Sequence, residues 1–219
     1  MVNTAGGITG GDALAVEAAA DAGAHLSLTT QAAERAYRAQ PGSEGRLDVT
    51  LRLGPGVRLD WLPQETILYD GCALARSLRV DMAADAALTM VEALVFGRAA
   101  MGEALRGASF SDRVDVRRDG RPAFRDGIRL AGDVAAHLAR PAIAGGAGAV
   151  ASVLRMAPDA ASLLRPLRAL LPATAGASAP GPDLLFARIA APDAWSLRRV
   201  LLPIVALLTG APVPRSWTT

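Results

Sequence analysis

The sequence predicts a mostly β protein with a few helices near its C-terminus. Three observations carry that prediction. Apolar residues recur at every second position in several stretches, most clearly over residues 46–53. Turn-forming groups, Gly54-Pro55-Gly56, Asp70-Gly71 and Asp119-Gly120, separate these stretches at steady spacing. The character changes only after about Asp133, so strands and helices segregate instead of alternating as β-α units.

Taken in order, Leu14, Val16 and Ala18 alternate with Ala15, Glu17 and Ala19 as a half-buried strand. Residues 25–30 repeat the period. Over 46–53, Leu47, Val49, Leu51 and Leu53 face one way, with Asp48, Thr50 and Arg52 opposite. After the 54–56 turn, Val57, Leu59 and Trp61 resume the alternation. Beyond Asp70-Gly71, Leu74, Leu78, Val80 and Met82 share a face. Residues 88–97 are apolar on both faces, and Phe110, Val114 and Val116 belong to one more strand.

The C-terminal part is mixed. Residues 134–138 are short and ambiguous, and 142–148 are small and flexible. Asp159 is placed to cap a helix with Leu163, Leu164, Leu167 and Leu170 as its apolar positions, although Pro166 spoils its interior. Residues 174–182 read as a Gly/Ala/Ser/Pro linker and 184–189 as a strand. Asp193 caps a helix over 194–202, with Pro203 as a kink or stop.

With 51% hydrophobic residues the chain can bury a sizeable core, although aromatics are only 4%, so Ala, Leu and Val must build it. All 23 basic residues are arginine. The missing lysine excludes a Walker lysine, a Schiff-base lysine and a Ser-Lys hydrolase. A formal charge of +2 with dispersed arginines gives a nucleic-acid surface little support. One cysteine, Cys72, allows no internal disulfide and fits a reducing cytosol. No signal peptide is apparent, and the most apolar tail run, 200–208, falls far short of the ~20 residues of a membrane span. A cytoplasmic protein is expected.

The densest local signal is the opening run Asn3-Thr4-Ala5-Gly6-Gly7-Ile8-Thr9-Gly10-Gly11-Asp12. Four glycines in six positions require a sharp turn or a close approach. No Lys-Ser/Thr pair follows, so this is not a phosphate loop, and the spacing is not that of a dinucleotide fingerprint. Thr29-Thr30-Gln31-Ala32-Ala33-Glu34-Arg35-Ala36-Tyr37-Arg38, Trp61-Leu62-Pro63-Gln64-Glu65-Thr66-Ile67, Glu92-Ala93-Leu94-Val95-Phe96-Gly97-Arg98 with Met101-Gly102-Glu103, and Pro212-Val213-Pro214-Arg215-Ser216-Trp217 follow in order. Together these blocks resemble the urease accessory protein UreD (UreH) family over nearly the whole chain.

That resemblance implies a single UreD-like domain over 1–219, with a β-rich body to about 133 and a mixed part over 134–219. The body would be a stacked, two-layer, β-helix-like arrangement of strands. Some fifty residues usually precede the signature in this family, so its N-terminal strands are expected to be missing or the start to be assigned late. The resemblance also implies a non-enzymatic maturation chaperone that binds apo-urease and is bridged through UreF to UreG. Its cargo would be a transient Ni²⁺, with no tightly bound cofactor.

Candidate chemistry is sparse. One cysteine and the distant His25 and His137 cannot close a zinc site. Glu92 shares its strand face with Leu88, Met90, Leu94 and Phe96, so its carboxylate must be paired, hydrogen-bonded or lining water. A salt bridge to an arginine such as Arg98 is the structural alternative. Asp12 either lines a polar passage or closes an Asx turn. The resemblance raises both residues, since they occupy motif positions of a family proposed to pass nickel through an internal channel. Glu65, Asp70 and Glu103 are weaker candidates near turns. Gln31, Glu34, Arg35, Tyr37 and Arg38 have the composition of an interface edge, or of a solvated loop. Trp217 either anchors a partner or packs on the body.

Overall fold

The computed structural model describes residues 1–218. In chain order the strands are β1 (Ala13–Ala20), β2 (His25–Thr29), β3 (Glu34–Ala36), β4 (Gly45–Leu53), β5 (Arg58–Leu62), β6 (Thr66–Leu68), β7 (Ala73–Met82), β8 (Ala87–Phe96), β9 (Ala108–Arg118) and β10 (Arg121–Gly132). Helix α1 (Val134–Leu138), β11 (Ala149–Met156), α2 (Leu164–Leu170), β12 (Ala175–Gly181), β13 (Leu184–Ala191) and α3 (Ala194–Thr209) complete the chain.

The first eight strands wind as stacked coils. β1, β4, β7 and β9 pair in parallel to form sheet 1, and β10 closes it antiparallel to β9. β2, β5 and β8 pair in parallel in sheet 2, with β3 and β6 continuing the same coils; β11, β13 and β12 extend that sheet antiparallel. This is the expected stacked two-layer body. Equivalent residues stack from coil to coil, as in Val16, Val49, Leu78 and Val114, or Leu26, Leu59 and Leu88. Each apolar row therefore meets a like row across the gap between the sheets.

Two apolar clusters fill that gap. One joins Leu51, Val80 and Val116 of sheet 1 to Leu59, Leu88 and Met90 of sheet 2. The other, at the opposite end, gathers Leu74, Phe110 and Leu130 with Ile8, Leu68 and Leu94. A third core covers the outer face of sheet 2, where Val91, Ala93, Val95, Val153 and Ile189 meet Leu197, Leu201, Ile204 and Val205 of α3 and the Trp217 indole. Covering both faces is what a parallel strand needs, and it explains why 88–97 is apolar throughout.

Several expectations are corrected. The 174–182 linker contains β12, whose small residues pair with β13 through backbone hydrogen bonds that need no side chain. α3 runs through Pro203 to Thr209 because Ile204, Val205 and Leu208 beyond the proline are buried on sheet 2, each worth roughly 1.5–3 kcal/mol. Asp193 caps it as anticipated, accepting from Ser196 N at 2.7 Å. Asp159 makes no side-chain cap; its carboxylate accepts from Arg155 Nη2 (3.2 Å). Pro166 does not spoil α2, since it lies in the first turn, where no intrahelical N–H bond is lost. Strands β3, β6, β10 and β11 were not anticipated.

Candidate functional site

Between the two inner cores the gap is polar. The alternation of β7 and β9 places Arg76 among Leu74, Leu78 and Val80, and Asp112 between Phe110 and Val114, so both point at sheet 2. Glu92 on β8 points back at them. Arg76 Nη2 lies 2.9 Å from Glu92 Oε2 and 2.6 Å from Asp112 Oδ2. Arg76 Nε donates to Asp112 Oδ1 (3.2 Å) and Nη1 to Thr66 Oγ1 (2.9 Å). Trp61 Nε1 donates to Glu92 Oε1 at 2.6 Å. The three charged side chains are each about nine-tenths buried.

The layer continues across both sheets. Ser152 pairs with Glu92 in the β11–β8 register and Arg188 with Ser152 in the β11–β13 register. Asp126 of β10 faces them: Arg188 Nη2 donates to its two oxygens at 2.8 and 2.6 Å, and Ser152 Oγ lies 3.5 Å away. A polar stratum thus crosses the interior between two apolar cores.

One guanidinium cannot neutralise two buried carboxylates. Burial first, then the Asp112 charge, pushes the Glu92 carboxyl above the usual range, against the pull of Arg76. Arg76 is correspondingly held in its charged form by Asp112 and Glu92, against the opposing effect of burial. A cavity of about 350 Å³ opens onto this cluster. Its apolar walls include Leu14, Val16, Leu47 and Val49; its polar floor is Glu92, Arg76 and Asp112; Met1, Val2 and Thr4 stand at the other side.

The anticipated residues fall in different places. Glu92 is at the cavity floor, and its arginine is Arg76; Arg98 pairs instead with Glu103, Nε to Oε2 at 3.0 Å. Asp12 does not line the cavity: its carboxylate accepts from Thr9 N (2.8 Å) and closes the turn that leads into β1. The glycine run makes the expected close approach, since a Cβ on Gly7 would run into the Tyr37 ring. Glu65 pairs with Arg198 (3.0 Å), and Asp70 accepts from Gly107 N, Arg106 N and Arg38 Nη2. Among the described residues no group of three or more His, Cys, Asp and Glu is placed to hold a metal ion.

Of the anticipated interface run, Gln31, Arg35, Tyr37 and Arg38 are exposed, whereas Glu34 is half-buried and accepts from Asn3 Nδ2 (2.9 Å). Tyr37 stands edge-on to Tyr69, over which Arg98 stacks at 4.5 Å. Trp217 is buried and packs on the body, with Nε1 donating to Leu62 O (3.1 Å) and Thr29 Oγ1 (3.2 Å). Gln64 ties this tail down, donating to Gln31 O and Ser216 O, both at 2.8 Å. Arg76, Asp112, Asp126 and Arg188 escaped the sequence reading. The available signal was a charged residue at an apolar-phase position in each of their strands.

Comparison with known sequences identifies the family. The sequence profile of the UreD urease accessory protein family matches residues 1–218. Proteins named urease accessory protein UreD are similar throughout: that of Ruegeria pomeroyi is 53% identical, covering 100% of this chain and 85% of its own length. That of Roseobacter denitrificans is 48% identical over 99% of this chain and 80% of its own. That of Methylobacterium sp. is 49% identical over 100% and 80%. A match that runs through every coil and through the C-terminal helices leaves one conclusion: this chain belongs to the UreD family of urease accessory proteins.

Proposed function

We propose that this chain is a non-enzymatic maturation protein of the cytoplasm that binds apo-urease, is bridged through UreF to UreG, and gives Ni²⁺ a passage toward the urease active site. The family membership supports the accessory role. The observation that carries the passage is the 350 Å³ cavity floored by Glu92 and Asp112. Two carboxylates hold a borderline cation such as Ni²⁺ only weakly, and a conducted ion must leave as readily as it enters. GTP hydrolysis belongs to UreG in this reading, because the chain carries no lysine for a phosphate loop.

A structural scaffold is the second reading, favoured by one observation. The Arg76 guanidinium already fills the space between both carboxylates, as in a purely structural ion cluster. Glu92→Gln with Asp112→Asn separates the readings in an activation assay with purified apo-urease, UreF, UreG, GTP and limiting Ni²⁺. The passage predicts that the complex forms but nickel incorporation slows. Normal incorporation in the doubly substituted complex overturns the passage and leaves the scaffold.

A further inference from the structure

The charge of this chain is unevenly divided between its layers. Residues 1–133 carry fifteen arginines and eighteen acids, whereas residues 134–219 carry eight arginines and three aspartates. All three aspartates are committed. Asp159 pairs with Arg155, Asp183 with Arg118, and Asp193 caps α3. In the layer covering sheet 2, Arg165 on α2, Arg199 on α3 and Arg215 in the turn Arg215–Trp217 are exposed and make no ion pair among the described residues. That outer layer therefore presents uncompensated positive charge.

It also presents the most exposed aromatic ring of the described chain. Trp195, in the first turn of α3, is 69% exposed, and among the described residues its ring makes no aromatic or hydrogen-bonding contact. Arg199 follows it by four residues, one turn along the same helix face. The remaining apolar side of α3, Leu197, Leu201, Ile204, Val205 and Leu208, is spent on sheet 2, so the helix keeps no broad apolar stripe to sink into lipid. A single ring beside free guanidinium groups is the composition of a protein hot spot.

We propose that the layer of α2, α3 and the 215–217 turn is a docking surface for a protein face carrying carboxylates around an apolar pocket. Trp195 enters the pocket and Arg199 pairs with a carboxylate at its rim. The surface lies apart from the Glu92 cavity and rests only on that part of the proposed function in which the chain works while bound to apo-urease or UreF.

The test is binding of the full chain to purified apo-urease and to purified UreF, by biolayer interferometry. Trp195→Ala and Arg199→Glu are compared with Arg121→Glu, an exposed charge reversal on the β body. Both test positions are exposed, so melting curves should match the parent. The expected result is that each test variant weakens binding to one of the two proteins by about tenfold or more. The control should not, and raising NaCl from about 50 to about 500 mM should weaken the parent. Parent-like binding by both test variants overturns the surface and leaves the proposed function intact. A parent that binds neither protein overturns the reading on which the surface rests, and the surface with it. Trp195-dependent binding to phosphatidylglycerol vesicles, without binding to either protein, overturns it in favour of a membrane.

Discussion

Arg76 and Glu92 face each other across the two sheets at 2.9 Å, on consecutive strands of the same coil, with the Asp112 carboxylate 2.6 Å from the same nitrogen. The turn between β7 and β8 fixes their register, and the apolar clusters on either side exclude water from the neighbouring rows. An ion pair in such a setting contributes little net stability while it is whole, because desolvation offsets attraction. Breaking it is another matter.

Arg76→Leu leaves two buried carboxylates without their cation. We expect a loss of about 3–5 kcal/mol in unfolding free energy, read from urea titration. Adding Glu92→Gln to Arg76→Leu should recover part of that loss, giving a coupling energy well outside the ±0.5 kcal/mol or so of independent sites. Simple additivity would mean that the two groups do not interact in solution.

Glu92 also sets a pH dependence. Its carboxyl holds its proton above the ordinary value of 4.5, chiefly because of burial. Below 4.5 the group is protonated in both states and its contribution to folding is complete. As pH rises past 4.5 the unfolded chain releases a proton that the folded chain keeps, and stability falls until the folded value is passed. Glu92→Gln cannot titrate. The stability of the parent relative to Glu92→Gln should therefore decline with rising pH from 4.5 upward, measured by paired urea titrations. A parent that gains on the variant over that range has the sign reversed.

The longer coil strands such as β1, β4 and β7 were legible because they alternate cleanly, whereas β3 and β6, of three residues each, are too short to show a period. β10 was not legible, since Asp126 interrupts its inward row of Phe124, Ile128 and Leu130, and a register shift between Pro122 and Phe124 breaks the period at its start. β12 is built of Ala, Gly, Ser and Pro and is held by the backbone alone. Glu92 was singled out from its own strand. Its partners were not, because Arg76 and Asp112 belong to the opposite sheet, and only the register of the closed coils decides which charges meet. Of the two readings of Pro203, kink or stop, the stop failed for a related reason: burial beyond the proline outweighed one lost helical bond.

Gly7→Ala probes the signature loop. A methyl there would sit 2.7 Å from Arg35 O, a backbone atom, as well as against the Tyr37 ring. Ile8, the next residue, donates its N–H to that same Arg35 O at 2.7 Å, so the carbonyl has little freedom to yield. Destabilisation of about 1–3 kcal/mol is expected from thermal or urea unfolding. Alanine at Gly6, where nothing lies within 4 Å, meets no clash and carries only the strain of φ +79°.

Cys72 supplies a prediction about reactivity. It lies just after the Asp70-Gly71 turn, yet it is buried, and its thiol is pushed up to about 11, first by desolvation and then by the Asp70 charge. The thiolate is the reacting species, and at pH 8 almost none is present in the folded chain. Labelling by a maleimide at pH 8 should be slow in buffer and fast in about 6 M guanidinium. The native rate should scale with opening of the fold, so Arg76→Leu, destabilised at a distance from the thiol, should label faster than the parent. Rapid labelling of the folded parent would mean that the turn over Cys72 opens freely, and the buried row of Cys72, Leu74 and Phe110 would then be less closed than its packing implies.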